Sequence, residues 1–270
     1  YMGKINYEEY NQKLETAKYK YAMGNSITKI AKELDMDRGT LSKNLKLSGF
    51  NIVNNQNDNR CLSNLFHIIN TEEKAYWLGF LYADGYISSA TNIIELCLKA
   101  EDKEHIQKFK SFLNHVNKIG EKNIKLNEEN YKAYRISFND KIMKQDLINK
   151  GCTPNKSLTL TFPKENQVPN YLIRHFVRGY IDGDGSLIYT NKTFKIEVLG
   201  TKSFLETMCL VMGWKLNTLS SKENIYTWEC NDKQTIPYIL DQLYKESKIY
   251  LDRKYDLYLR MINAVLGRNS

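Results

Sequence analysis

Two acidic residues 100 positions apart, Asp84 and Asp184, close two similar stretches of sequence. The stretches are AYWLGFLYADG, residues 75–85, and HFVRGYIDGDG, residues 175–185. Each predicts an apolar helix whose small residues lie four apart on one face: Gly79 and Ala83 in the first helix, Gly179 and Gly183 in the second. A face without bulky side chains lets a second backbone come close. We therefore expect the two helices to pack together and the two carboxylates to meet at adjacent helix ends.

This carboxylate pair is electrostatically unfavourable. Each acid faces the negative end of a helix dipole, and two unit charges about 4 Å apart repel by roughly 4 kcal/mol at an effective dielectric near 20. A hard divalent cation would offset the repulsion, so the sequence predicts a Mg²⁺ site at Asp84 and Asp184. Gly85 and Gly185, which follow the acids, are predicted to adopt the left-handed conformation that ends many helices.

Both stretches resemble the motif of the LAGLIDADG homing endonucleases, in the single-chain form that carries two copies. The match includes Gly79 and Gly179, the closing Asp-Gly of both copies and the paired apolar runs, and it extends over about residues 71 to 265. The first copy departs at Tyr82, where the second has the family's usual residue, Asp182. This position is not the family's metal ligand.

The resemblance implies a site-specific endonuclease that binds a long duplex DNA target and hydrolyses one phosphodiester on each strand. It also implies 3′ overhangs, mobility of the encoding element, and a divalent metal bound by Asp84 and Asp184: Mg²⁺, with Mn²⁺ as a substitute and Ca²⁺ as a non-cleaving one. The family keeps a basic residue near each metal. The matching segments, CTPNKSLTL and YLDRKYDL, give Lys156 and Lys254, which follow the acids by 72 and 70 residues, with Arg253 as an alternative to Lys254.

The fold class that follows is α+β, with two pseudo-symmetric αββαββα repeats that form a DNA-binding saddle. Alternating apolar and polar residues predict the strands: 86–90, 93–99, 122–126 and 132–139 in the first repeat, and 186–190, 193–199, 215–219 and 225–231 in the second. Helices are predicted at 101–116, 140–149 and 201–212, and from about 235 and 252. The polar strand faces are the expected DNA-reading surface, with candidate residues Glu95, Lys99, Arg135, Ser137, Asn139, Lys195, Glu197, Thr227 and Glu229.

Before the repeats, three short helices are predicted: residues 7–23, a second capped by Ser26 and a third capped by Asp37. Their apolar residues fit the core of a helix-turn-helix: Ile27, Ile30, Ala31, Leu34, Leu41 and Leu45. Asp35 occupies the turn position usually held by glycine, which weakens the match. The third helix would read a major groove through Arg38, Thr40, Lys43 and Asn44. The alternative is a helical bundle used only for packing.

The asparagine-rich composition of residues 51–60 is typical of an exposed linker. The sequence therefore predicts four segments: a helix-turn-helix domain at 1–50, a linker at 51–70, the first repeat at 71–166 and the second at 167–270.

Composition is that of a folded protein with a polyanionic partner. Hydrophobic residues make up 42% and charged residues 26%, and the net charge is +8, which favours nucleic acid. No apolar run approaches the ~20 residues of a membrane span. We expect a monomer that binds double-stranded DNA and does not contact a membrane. We expect it in the cytoplasm or an organellar matrix, not secreted.

The cysteines lie singly and the histidines form no metal-ligand cluster.

Two other functions stay open at this point. An intron RNA maturase would use the same basic face, and a non-cleaving transcription regulator would use the helix-turn-helix with the repeats as a scaffold. Loss of the acidic pair would favour the maturase, and both acids are present. Retention of Asp84, Asp184, Lys156 and Lys254 argues against the regulator too, but less strongly.

Overall fold

The structure is a computed structural model, which describes residues 7–22, 25–48, 64–115, 118–126, 129–190, 193–222 and 224–265. The chain divides into two compact units. The first comprises Tyr1–Ser63 with Leu113–Asn117, and the second comprises Asn64–Phe112 with Lys118–Ser270. The predicted linker at 51–60, Gly49 and Cys61 lie outside the described residues.

The described part of the first unit contains three helices: α1 (Tyr7–Ala22), α2 (Ile27–Glu33) and α3 (Arg38–Leu47). The predicted caps are confirmed, because the Ser26 side chain accepts a hydrogen bond from the backbone of Lys29 and the Asp37 side chain accepts one from Thr40. The core consists of the expected apolar residues together with Ala17: Ile27, Ile30, Ala31, Leu41 and Leu45, with Leu34 packed against them.

Asp35 lies in the turn between α2 and α3 with a φ of 49°. This is the left-handed conformation that glycine adopts most easily, and aspartate tolerates it better than most residues do. The departure from glycine at this position therefore does not prevent the turn.

The second unit repeats one pattern of helices and strands. The first repeat contains α4 (Glu72–Asp84), β1 (Gly85–Ile87), β2 (Ile93–Lys99), α5 (Lys103–Phe112), β3 (Gly120–Leu126), β4 (Glu129–Asn139) and α6 (Lys141–Asn149). The second contains α7 (Ile173–Asp184), β5 (Gly185–Tyr189), β6 (Phe194–Gly200), α8 (Lys202–Met212), β7 (Ser220–Lys222), β8 (Ile225–Cys230), α9 (Thr235–Tyr244) and α10 (Asp252–Val265).

Each repeat builds a four-stranded antiparallel sheet, in the order β1-β2-β4-β3 and then β5-β6-β8-β7. The shared strand order confirms the predicted α+β fold with two repeats. Each sheet has a buried face, where Leu96 lies opposite Ile136 in the first sheet. The other face is polar, and there Glu95 lies opposite Ser137. The second sheet alternates in the same way, with Val198 opposite Trp228 on the buried face and Glu197 opposite Glu229 on the polar face.

The strand predicted at 215–219 is wrong. The edge strand β7 is Ser220–Lys222, because side chains rather than a strand ladder hold the preceding segment. The Trp228 indole N–H donates to the carbonyl of Lys215 at 3.1 Å, and the Asn217 amide donates to the carbonyl of Glu229 at 2.7 Å.

The left-handed conformation predicted for the two motif glycines is also wrong. Gly85 has a φ of −72° and Gly185 a φ of −82°, both with extended ψ, because each glycine is already the first residue of a strand. Glycine is needed there for space: a Cβ atom at Gly85 would lie 2.5 Å from the carbonyl oxygen of Leu81.

Among the described residues, no helix is both long enough and apolar enough to cross a lipid bilayer.

Candidate active site at the motif helix ends

The motif helices α4 and α7 pack backbone to backbone through glycine. A Cβ atom at Gly79 would lie 2.0 Å from the carbonyl oxygen of Phe176, and one at Gly179 would lie 2.0 Å from that of Tyr76. At Gly183, a Cβ atom would lie 2.3 Å from the Cβ of Ala83. No side chain fits at these distances. The small residues at repeat spacing are therefore what allows the two helix ends to meet.

Asp84 and Asp184 end these two helices. The Asp84 carboxylate lies against the other helix, since a Cβ atom at Gly183 would be 3.3 Å from Asp84 Oδ2. Both acids are exposed on one side, but protein surrounds them on the others. This desolvation is the main reason that the pKa of Asp84 rises to about 6, with repulsion from Asp184 as the second cause. Desolvation also raises the pKa of Asp184.

The donor set at this position suits a hard cation. Within the described part of the chain, no group of three or more His, Cys, Asp or Glu side chains is placed to hold a metal. At the ends of the two motif helices the site offers the carboxylates of Asp84 and Asp184. Mg²⁺ is commonly bound through one or two carboxylates and takes its remaining oxygens from water and substrate phosphates. The pair fits such an ion.

Lys156 and Lys254 occupy matching positions in the two repeats. The Lys156 ammonium donates to the carbonyl of Gly85, and the Lys254 ammonium donates to that of Gly185 at 2.6 Å. Of the two lysines, the one in the second repeat is the more enclosed. Lys254 is 2% exposed and also donates to the carbonyls of Ile181 and Asp182.

Burial lowers the pKa of Lys254 to about 8. Both lysines lower the pKa values of both acids, and the larger effect on each acid comes from the lysine of the other repeat. Arg253, the alternative basic residue, pairs instead with Asp102, at 2.9 and 3.1 Å.

On the polar sheet faces, several of the predicted DNA-reading residues pair with each other. Arg135 donates to Glu95 at 3.4 Å. Lys195 bridges Glu197 at 2.6 Å and Glu229 at 3.1 Å, which offsets the repulsion between these two opposed carboxylates. The remaining candidates have exposed or half-buried side chains on the same faces: Lys99, Ser137, Asn139 and Thr227.

The four residues of α3 that are predicted to contact DNA bases differ in their surroundings: two are exposed and two are hydrogen-bonded within the first unit. Arg38 and Lys43 are exposed. Thr40 donates its hydroxyl to Asp37 at 2.8 Å, and the Asn44 amide donates to the Tyr10 hydroxyl at 2.8 Å. Two of the four side chains are therefore already hydrogen-bonded within the first unit.

Burial raises the pKa values of the described cysteines and lowers that of His105, which favours the neutral form of each side chain. Cys97, Cys152, Cys209 and Cys230 are free thiols. His105 is buried, and desolvation lowers its pKa to about 3, so it stays neutral near pH 7.

The position two residues before each acid, Tyr82 and Asp182, has no role in the sequence prediction beyond its place in the motif. Asp182 is 1% exposed and accepts three hydrogen bonds, from Tyr76, Tyr244 and the backbone of Leu251. The signal was available, because an aspartate inside an apolar helix needs partners when it is buried.

No protein-family model and no curated protein matches this sequence. Solved structures do match. The homing endonuclease I-WcaI, bound to its DNA recognition sequence, is 14% identical, with a TM-score of 0.54 over 78% of this chain and 97% of that one. The LAGLIDADG meganuclease I-AabMI bound to uncleaved DNA is 14% identical, with a TM-score of 0.46 over 72% of this chain and 91% of that one.

A third match is full-length DUF199/WhiA from Thermatoga maritima, 13% identical, with a TM-score of 0.47 over 77% of this chain and 65% of that one. The I-WcaI match, together with the twofold αββαββ topology, shows that the chain has the LAGLIDADG homing endonuclease fold. The resemblance predicted from the two motifs is confirmed at the level of the fold.

Proposed function

We propose that this protein is a site-specific DNA endonuclease that binds a long duplex target and hydrolyses one phosphodiester on each strand. The observation that carries the proposal is the pair Asp84 and Asp184, which the glycine crossing of α4 and α7 brings to adjacent helix ends. The products would be duplex ends with 3′ overhangs, and the break would promote mobility of the encoding element.

Asp84 and Asp184 would hold divalent metal ions, Mg²⁺ by default and Mn²⁺ as a substitute. When bound, the metal supplies positive charge that polarises the scissile phosphates and helps to form the attacking hydroxide. One acid per repeat corresponds to one phosphate per strand. Lys156 and Lys254 place positive charge beside the acids, where it would stabilise the charge that develops on the phosphate. With a pKa of about 8, Lys254 is mostly charged at pH 7.

The polar faces of the two sheets would contact the duplex, and the net charge of +8 would draw it in. Arg135 and Lys195 would exchange their glutamate partners for base or phosphate acceptors. Arg38 and Lys43 in α3 would contact an additional part of the target. The DNA-bound state of I-WcaI supports DNA as the partner.

The test begins with a random duplex library incubated with Mg²⁺ or with chelator, whose cut ends are sequenced. We expect one long, metal-dependent cut site. The Asp184→Asn variant should bind a duplex with that site in Ca²⁺ as tightly as the wild type does. In Mg²⁺ its cleavage rate should be at most about one hundredth of the wild-type rate, because half of the acidic pair is gone.

Asp256→Asn, which removes an exposed carboxylate from α10, is the matched control and should cleave normally. A fully active Asp184→Asn would overturn the assignment of the site. Duplex binding without any cutting would favour the regulator, and preference for structured RNA would favour the maturase.

A further inference from the structure

Asp182 joins both repeats at a point just beneath the acidic pair. Its Oδ1 accepts from the Tyr244 hydroxyl at 2.6 Å, and its Oδ2 accepts from the Tyr76 hydroxyl at 2.7 Å and the Leu251 backbone N–H at 2.8 Å. The three donors come from α4, from α9 and from the segment before α10. A carboxylate that is 1% exposed is costly to bury, and these three bonds satisfy it.

The Tyr76 bond has a fixed direction. A buried hydroxyl has one proton, and Tyr76 donates it to Asp182. His105 Nε2 lies 2.9 Å from the same hydroxyl oxygen, so Nε2–H must donate to it. This assigns the neutral tautomer of His105 with the proton on Nε2 and leaves Nδ1 without a hydrogen-bond partner. The network thus extends through Tyr76 into α5 of the first repeat.

Two different atoms of Asp182 hold the segment that carries Lys254. The carboxylate accepts from the N–H of Leu251, whose own carbonyl receives the N–H of Lys254 at 3.0 Å and so begins α10. The backbone carbonyl of Asp182 accepts from the Lys254 ammonium at 2.8 Å. Both ends of the four-residue segment 251–254 are therefore bonded to one residue of the motif helix.

We propose that Asp182 is a positioning residue that fixes Lys254 beside the acidic pair, by holding the start of α10 against the end of α7. The inference rests on the proposed function in one respect, namely that Lys254 serves one of the two scissile phosphates. Asp182 itself is not required to touch the DNA.

In the first repeat the equivalent residue is Tyr82, which bonds to the segment before Lys156 in a different way. Its hydroxyl donates to the carbonyl of Lys150 at 2.5 Å, six residues before Lys156. The first repeat has tyrosine where the second has aspartate. This residue makes a different hydrogen bond, but it is still bonded to the segment that leads to Lys156. Lys156 is held less closely than Lys254, because it is only half-buried and donates to Gly85 alone among the motif carbonyls.

The test uses the 270-residue chain and a supercoiled plasmid that carries the target. Wild-type protein should convert it to linear DNA. Asp182→Leu keeps a similar volume but cannot accept the Leu251 N–H, and it should cut one strand about 10-fold to 100-fold more slowly, so that nicked circles accumulate. The slow strand should be the one that is slow in Lys254→Met. Adding Lys254→Met to Asp182→Leu should slow that strand no further than Lys254→Met alone.

Tyr244→Phe is the matched control, because it removes another bond to the same carboxylate and leaves the Leu251 bond in place. It should cut both strands at the wild-type ratio. Asp182→Asn, which can still accept from Leu251, should lie between wild type and Asp182→Leu. If Asp182→Leu fails to fold, this variant carries the test. Equal slowing of both strands, or slowing of the strand that Lys254→Met leaves fast, would overturn the proposal.

A second measurement does not depend on cleavage. Amide hydrogen exchange, followed by mass spectrometry, should speed up in residues 248–254 of Asp182→Leu about 10-fold or more, and it should stay near wild type in Tyr244→Phe. Unchanged exchange in Asp182→Leu would overturn the positioning role. A wild-type protein that binds but never cuts would defeat the proposed function, and the exchange result would still decide the role of Asp182.

Discussion

The packing of two helices holds Asp84 and Asp184 close together. Without a bound metal ion, this proximity lowers the stability of the folded protein. The neighbouring protein and the second carboxylate raise the pKa of Asp84 to about 6, from 3.8 for an unperturbed aspartate. The folded state therefore binds the Asp84 proton more tightly than the unfolded chain does. Stability should fall as the pH rises from about 4 to about 6, and it should stay lower above that range.

Asp84→Asn should consequently stabilise the metal-free protein. At pH 8 the expected gain is about 1 kcal/mol, because solvent screens part of the repulsion on an exposed carboxylate. At pH 5 the gain should be smaller, since Asp84 is then mostly protonated in the wild type. Thermal unfolding in chelator at both pH values measures the difference. Asp256→Asn serves again as the control, and an equal gain at both pH values would contradict the charge explanation.

The residue-scale predictions from sequence succeeded where the information is local. Asp84 and Asp184 are found at the ends of the two helices that contain the motif, and Asp37 caps the helix that it immediately precedes. The role of Asp182 could not be predicted because its partners Tyr76, Tyr244 and Leu251 lie 106, 62 and 69 residues away. No local pattern connects these positions.

At the scale of elements, the crossing of α4 and α7 controls the distance between the two acids. Gly179→Ala would place a Cβ atom 2.0 Å from the carbonyl oxygen of Tyr76, so the helices would have to separate. We expect a loss of about 3 kcal/mol in unfolding free energy and a loss of cleavage greater than the loss of DNA binding. Urea unfolding and cleavage kinetics measure the two effects.

Gly213→Ala is the matched control for this substitution. Gly213 has a φ of 68°, and a Cβ atom there would meet nothing within 4 Å, so only the backbone cost of about 1 kcal/mol is expected. If Gly179→Ala costs no more than Gly213→Ala, the close approach at the crossing is not what determines its effect.

Strands with a buried face were predicted well, because alternation along β2, β4, β6 and β8 reports directly which face is buried. The three-residue edge strand β7 was misplaced, since a strand of that length carries almost no alternation and the tryptophan and asparagine bonds before it are not local. The conformation of Gly85 was wrong for a related reason: sequence shows that a helix ends there, but not that a strand begins at the same residue.

At the scale of the whole molecule, the first unit supplies a second candidate DNA contact. Arg38→Ala with Lys43→Ala removes the two exposed cations among the α3 candidates. We expect target affinity to fall by about 10-fold at low salt and the footprint to shorten at one end. Nuclease footprinting and binding at two salt concentrations measure both effects.

The control for the α3 substitutions is Lys13→Ala with Lys18→Ala. It removes the same charge from α1, where these lysines pair with Glu9 and Glu15. It should weaken binding less and leave the footprint intact. An unchanged footprint in the α3 variant would leave the first unit as a packing domain, which is the alternative raised by its sequence.

The hydrogen bond from Tyr76 to Asp182 joins the two repeats and limits how they can be recombined. Tyr76 aligns in the second repeat with Phe176, which has no hydroxyl, just as Asp182 aligns with Tyr82. A homodimer made of the second repeat alone would bury Asp182 without one of its donors, and a homodimer of the first would have donors but no carboxylate. The Tyr76–Asp182 bond therefore needs one copy of each repeat. A repeat exchanged between chains of this fold should therefore be grafted together with its half of this buried pair.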